Sequence, residues 1–265
     1  MQFIKSKTPN IVNNLVVLHG LCGSPNNFSA IVKNNKISSQ VNSHLLYWHS
    51  QKFDMQTQAS YLKQYIQNLP EGNTCILGHS IGAKIIMATL CKYKQELHNK
   101  VKGVVIVDML PFNSEQASEQ SSGVGSMKSF LEKLLHLDLQ SSSSEEIMKK
   151  INELVPNKRV ADLLSQNIDM ENKKWKINVQ EIVEHYQDFI HHKIDGTWPG
   201  KVLVIAGENS NYVSRSQIHT FKEVFENINL EKDVKFIEKA GHWVQADQPI
   251  IFINEVSHFL KSICH

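Results

Sequence analysis

The segment Thr74-Cys75-Ile76-Leu77-Gly78-His79-Ser80-Ile81-Gly82-Ala83-Lys84 joins an apolar strand to a helix through one tight turn. Residues 74–77 suit a strand buried on both faces, and a helical pattern occupies 83–97. So sharp a turn needs small residues on both sides of the serine, and Gly78 and Gly82 supply them. Outward from this point the pattern repeats. Apolar runs at 15–18, 44–48, 103–107, 202–206 and 234–237 are bounded by turn residues. Helical patterns lie at 55–69, 214–225 and 250–260. Continuous apolar runs alternating with helices predict an α/β fold, a mostly parallel, doubly wound sheet with helices on both faces.

The alternation stops between Pro111 and Pro199. Residues 114–126 are rich in Ser, Glu, Gln and Gly and read as a flexible loop. Four helical segments follow, at 127–137, 144–155, 159–168 and 179–191, with Ser144 as a cap and Glu145 and Glu146 in the first turn behind it. No strand pattern is present. The expectation is a core formed by 1–111 and 199–265, carrying an inserted all-helical lid at 112–198.

Bulk chemistry narrows the function. Among 265 residues, Lys plus Arg is 28 and Asp plus Glu is 26, a net charge of +2. No strong field favours nucleic acid or an anionic membrane. No run approaches ~18 uninterrupted apolar residues, so no integral membrane segment is expected. The start, MQFIKSKTPN, lacks the apolar core of a signal peptide. Cys22, Cys75, Cys91 and Cys264 share neither metal-like spacing nor a disulfide framework. They read as free thiols in a reducing compartment, so the expected location is cytoplasmic. No cofactor and no metal are implied. His191 and His192 are adjacent on a helix and do not face one another.

Gly78-His79-Ser80-Ile81-Gly82 matches the G-x-S-x-G of a nucleophile elbow, and its strand–turn–helix setting is the one that motif needs. A serine hydroxyl is a weak nucleophile until a base takes its proton. Of thirteen histidines, His242 is the candidate base, because Gly241-His242-Trp243 follows the last strand at the sheet edge where the elbow opens. An oxyanion hole needs two preorganised donors. The N–H of Ile81 is one candidate. The N–H of Leu21, in the His19-Gly20-Leu21 loop after the first strand, is the other, with His19 and Gly20 in support. The acid has several candidates. Asp108 ends the strand next in order to the nucleophile strand. Glu208 lies in Gly207-Glu208-Asn209-Ser210, close to the usual place, and Asp247 or a dyad without an acid are further options.

These residues resemble α/β-hydrolase esterases, and within them the bacterial YbfF-type group and its mitochondrial relatives. The resemblance rests on His19-Gly20-Leu21-Cys22-Gly23-Ser24, on Gly78 to Lys84, on Asp108-Met109-Leu110-Pro111, on Trp175-Lys176-Ile177-Asn178 and on Gly207-Glu208-Asn209-Ser210-Asn211-Tyr212-Val213. It implies Ser80, Asp108 and His242 as catalytic residues, with Ser210 as a hydrogen-bonding addition where other members carry the acid. Two features depart from that group. Tyr47-Trp48-His49-Ser50-Gln51 lacks the group's aspartate and glycine, and the N-terminal strand pair looks cut short.

The expected reaction is hydrolysis of a small-molecule acyl ester or thioester, of small to medium acyl length, through an acyl-serine. A methyl-ester hydrolase acting on a carrier-bound acyl chain would use the same residues, with a basic patch at Lys149, Lys150, Lys158 and Arg159. A carbon–carbon bond hydrolase or lyase would also keep them. A non-catalytic binding module would not need all three.

Overall fold

The computed structural model describes residues 2–6, 11–48, 52–112, 127–155 and 158–264. The loop expected at 114–126, and His49, Ser50 and Gln51, lie outside the described residues, as does the side chain of Arg159. The main sheet has seven strands: β1 Gln2–Ser6, β2 Asn14–Leu18, β3 Asn42–Tyr47, β4 Thr74–His79, β5 Val101–Val107, β8 Lys201–Gly207 and β9 Val234–Ile237, while β6 Ile168–Asp169 and β7 Lys174–Trp175 lie outside it. Their order is β1-β3-β2-β4-β5-β8-β9, and all neighbours are parallel except β1 against β3. β1 was not expected. Six parallel strands flanked by helices match the sequence expectation: 234–237 coincides, 44–48 shifts to Asn42–Tyr47, and the other four extend by one or two residues at one or both ends.

The strands read as unbroken apolar runs because both faces are covered. Val16, Leu18, Leu46, Ile76, Val104, Ile106 and Val204 face one core. Leu15, Val17, Leu45, Leu77, Val105 and Ile205 alternate with them and face the other. The second core is closed by the helix Pro249–Cys264 through Phe252, Val256 and Leu260. The first is closed by Met55–Gln67 and Ile81–Lys92, and it continues into the segment between β5 and β8 through Leu131, Ile147, Ile182 and Phe189. Alternate residues packing against two helical layers are what a doubly wound sheet requires.

The inserted segment differs from the all-helical expectation. Its helices are Met127–Leu135, Ser144–Leu154, Lys158–Ser165 and Val179–His191. Between the last two, β6 Ile168–Asp169 pairs antiparallel with β7 Lys174–Trp175. Two-residue strands are too short for a period of two to register in sequence. The cap also moves. Ser143, not Ser144, accepts from Glu146 N–H, and Glu146 answers by accepting from Ser143 N–H, a capping box. A third correction falls at 214–225, where only a 3₁₀ turn, Ile218–Glu223, forms. Among the described residues, no helix is long and apolar enough to cross a membrane.

Candidate active site

Ser80 sits between β4 and the helix Ile81–Lys92 with φ 55° and ψ −128°. A residue with a side chain holds such a conformation only when its surroundings impose it. Here Ser80 N–H donates to the Val107 carbonyl at 3.0 Å, and the Ser80 carbonyl accepts from Ala83 N–H at 2.9 Å in the first helical turn. The flanking glycines are required by contact. A Cβ at Gly78 would lie 2.6 Å from the Ala83 backbone, and one at Gly82 would lie 2.6 Å from the His19 carbonyl oxygen. The sharp turn sets the serine at the end of the strand, over a helix N-terminus whose free N–H groups favour negative charge.

Ser80 is tied to Val107, and the next residue is Asp108, itself at φ 50° and fully buried. Asp108 gathers three donors. Its Oδ2 lies 2.7 Å from His242 Nδ1 and accepts the Ser210 hydroxyl at 2.5 Å, while its Oδ1 accepts Gly207 N–H at 3.2 Å. The carboxylate therefore places the proton on Nδ1 of His242 and leaves Nε2 for other partners. Ser210 is fixed in turn by Tyr212 N–H at 3.1 Å, and the Tyr212 ring stacks on the His242 ring with centroids 4.0 Å apart. The stacking was not read from the sequence, where Tyr212 stood only as part of a motif.

The other acid candidates are placed elsewhere. Glu208 is exposed and pairs with Arg215 at 2.7 Å. Asp247 accepts Gly241 N–H at 2.9 Å, which shapes the loop that carries His242. His79 turns toward His242 and donates through Nε2 to its carbonyl at 2.8 Å. Burial, with His242 beside it, holds the His79 pKa well below the ordinary range, so its ring is neutral.

The loop after β2 folds over the serine. A Cβ at Gly20 would lie 3.2 Å from Ser80 Cβ and 2.8 Å from His79 Nδ1, so only glycine fits there. Leu21 is half-buried and Ile81 buried, on the two elements that meet at Ser80. His19 is buried between Tyr47 and Trp48, and burial lowers its pKa to about 4. It is a packing residue in its neutral form. Burial pushes the Cys22 thiol up to about 12, so it is no thiolate nucleophile. All four cysteines are free. Lys84, fully buried, donates its ammonium to the Ile190 carbonyl at the end of the helix Val179–His191. Among the described residues one group could gather around a metal ion, Glu181, Glu184 and His185 on that same helix. Glu181 already accepts Phe53 N–H at 3.2 Å and faces His185 at 3.7 Å.

Ser80 lies in a strand–turn–helix elbow, and Asp108, the residue after its backbone partner Val107, holds the His242 imidazole. The family described as alpha/beta hydrolase fold matches residues 13–249, and the chain belongs to that family. It is similar to the sn-1-specific diacylglycerol lipase ABHD11 of Danio rerio, 27% identical over 93% of this chain and 78% of the relative. Esterase YbfF of Escherichia coli (strain K12) is 22% identical over 93% of this chain and 92% of that protein. Among solved structures, a "Marine microorganism esterase" superposes with a TM-score of 0.82 at 26% identity, covering 97% of this chain and 98% of that one. Coverage this complete takes in the inserted segment as well as the sheet. The likenesses support an enzyme of the esterase or lipase type.

Proposed function

We propose that this protein is a serine hydrolase that cleaves carboxylic esters or thioesters of small to medium acyl chains through an acyl-serine. The observation that carries the reading is the Asp108–His242 pair at 2.7 Å, with Asp108 following the residue that Ser80, held at φ 55°, bonds through its backbone. Asp108 fixes the tautomer, so His242 Nε2 takes the Ser80 proton as the hydroxyl attacks the carbonyl carbon. The N–H groups of Leu21 and Ile81 hold the oxyanion of the tetrahedral intermediate. His242 then gives its proton to the leaving alcohol or thiol. Water, deprotonated by the same nitrogen, releases the acid and restores Ser80. Ser210 keeps Asp108 oriented. The described helices between β5 and β8 act as a lid over the sheet, and the acyl chain lies between lid and sheet. The names of the relatives, a diacylglycerol lipase and two esterases, point to oxygen esters first. Four free cysteines support a reducing, cytoplasmic setting.

The test is hydrolysis of p-nitrophenyl esters from acetyl to dodecanoyl by the parent and by Ser80→Ala. Loss of the nucleophile is expected to lower turnover on the order of a millionfold. The chain-length optimum sizes the acyl pocket. A folded parent with no activity on any ester would sink the general-esterase reading and favour a carrier-bound or carbon–carbon substrate.

A further inference from the structure

The loop that carries Leu21 is held from outside by the inserted segment. Gly23 N–H donates to the Gly20 carbonyl at 3.1 Å and closes a turn over Leu21 and Cys22. Cys22 has φ 53° and Leu21 does not share that sign, the pattern of a type II turn. Its third position ordinarily takes glycine or asparagine, and a cysteine there is strained unless something holds it. Asn167 does so. Its side-chain amide donates to the Cys22 carbonyl at 2.5 Å, and its own side-chain oxygen accepts the Tyr47 hydroxyl at 3.4 Å. Asn167 is fully buried, with its N–H on the Leu164 carbonyl at 3.0 Å and its carbonyl accepting Lys176 N–H at 2.7 Å. It therefore stands at the base of the β6–β7 hairpin. Its neighbour Gln166 accepts the Ser24 hydroxyl at 3.2 Å, a second tie to the same loop. From the core side, Trp48 Nε1 donates to the His19 carbonyl at 2.9 Å.

We infer that Asn167 is a positioning residue for the oxyanion hole, so that the inserted segment completes the reaction centre as well as covering it. The inference rests on the proposed roles of Ser80 and Leu21. Without the amide, the Cys22 backbone relaxes toward the conformation that side-chain-bearing residues prefer, and the turn that presents Leu21 moves with it. A donor displaced in this way weakens the intermediate more than the bound ester, because the full negative charge exists only in the former.

The experiment compares parent, Ser80→Ala, Asn167→Ala and Asn167→Ser on p-nitrophenyl butyrate. Active sites are counted by labelling to completion with a fluorophosphonate, and a trifluoromethyl ketone serves as an analogue of the tetrahedral intermediate. For Asn167→Ala, kcat per labelled site is expected to fall about 10- to 100-fold with KM nearly unchanged. Inhibition by the ketone should weaken by a similar factor. Asn167→Ser also removes the amide, and its shorter hydroxyl leaves a polar group at the site without spanning to the Cys22 carbonyl; it should behave alike, which keeps the test open if the alanine variant does not fold. Unchanged kcat per labelled site, or a fall with undiminished ketone affinity, overturns the role of Asn167. An inert parent, or full activity in Ser80→Ala, overturns the serine-hydrolase reading and this inference with it.

Discussion

Replacing Lys84 by methionine probes the cost of keeping an ammonium inside the junction of the elbow helix and the insert. Lys84 is fully buried, its ammonium reaches the Ile190 carbonyl, and burial lowers its pKa from 10.5 to about 8. Each tenfold change in proton affinity is about 1.4 kcal/mol, so the drop corresponds to about 3 kcal/mol. The Ile190 carbonyl accepts from the ammonium, and with the folded value at about 8 the pH-linked difference stays near ~3 kcal/mol. The unfolded chain keeps the ordinary value near 10.5, so between about 8 and 10.5 it binds a proton that the folded protein has released. Stability therefore rises with pH through that window, and the destabilisation is fullest below it, where both states are charged. Methionine is close in length and does not titrate. The variant also leaves the Ile190 carbonyl without its donor, but that cost does not vary with pH. Buried Tyr186 and Cys91, both raised by burial, depress stability at alkaline pH in parent and variant alike and cancel in the difference. Chemical denaturation of both proteins from neutral pH to about pH 10 should show the parent gaining about 2–3 kcal/mol on the variant. A difference that stays flat to within about 0.5 kcal/mol would refute the reasoning, since the ammonium would then be as well solvated folded as unfolded.

Two further outcomes follow from the contacts. Asp108→Asn should lower kcat about 10⁴-fold by allowing the wrong His242 tautomer, whereas Glu208→Gln should stay within about twofold, because Glu208 spends its charge on an exposed pair with Arg215; steady-state rates on one ester decide. Phe53→Ala should cost about 3–5 kcal/mol in urea unfolding, because Phe53 is fully buried between Trp48 and Phe189 at centroid distances of 5.5 and 4.2 Å; a cost below about 1 kcal/mol would mean that the stack closes over the cavity.

The sheet was legible because five of its strands are buried on both faces over most of their length, and continuous apolar runs with Gly-rich ends have few other solutions. The elbow was legible for the same reason: Gly78 and Gly82 sit where any Cβ would strike backbone. The acid was not settled by sequence. Asp108 and Glu208 both leave strands at one sheet edge, and only side-chain direction separates them, Asp108 inward and Glu208 toward Arg215. The insert was least legible. Asn167 shows no periodicity and no motif of its own, and β6 and β7 are two residues each. Trp175-Lys176-Ile177-Asn178 did carry a signal, now with a local cause. Lys176 N–H returns to Asn167, and Asn178 caps the helix Val179–His191 by accepting Glu181 N–H at 3.2 Å.

Those contacts explain why the insert and the reaction centre are expected to respond together. The helix Val179–His191 meets the core at Lys84, four residues beyond Ser80, and at Phe53 through Phe189 and Glu181. The hairpin before it meets the loop of Leu21 at Cys22 and Ser24. The stack from His19 through Trp48 and Phe53 to Phe189 joins these points through rings, so the loop of Leu21 and the helix share a packed path. Close-packed interiors transmit displacement because they have little room to absorb it. A change at the base of the insert is therefore expected to reach the loop of Leu21, which packs on Ser80. The exposed face of Ser144–Leu154, carrying Glu145 and Lys149, shares none of these contacts and has freedom to vary with little effect on turnover.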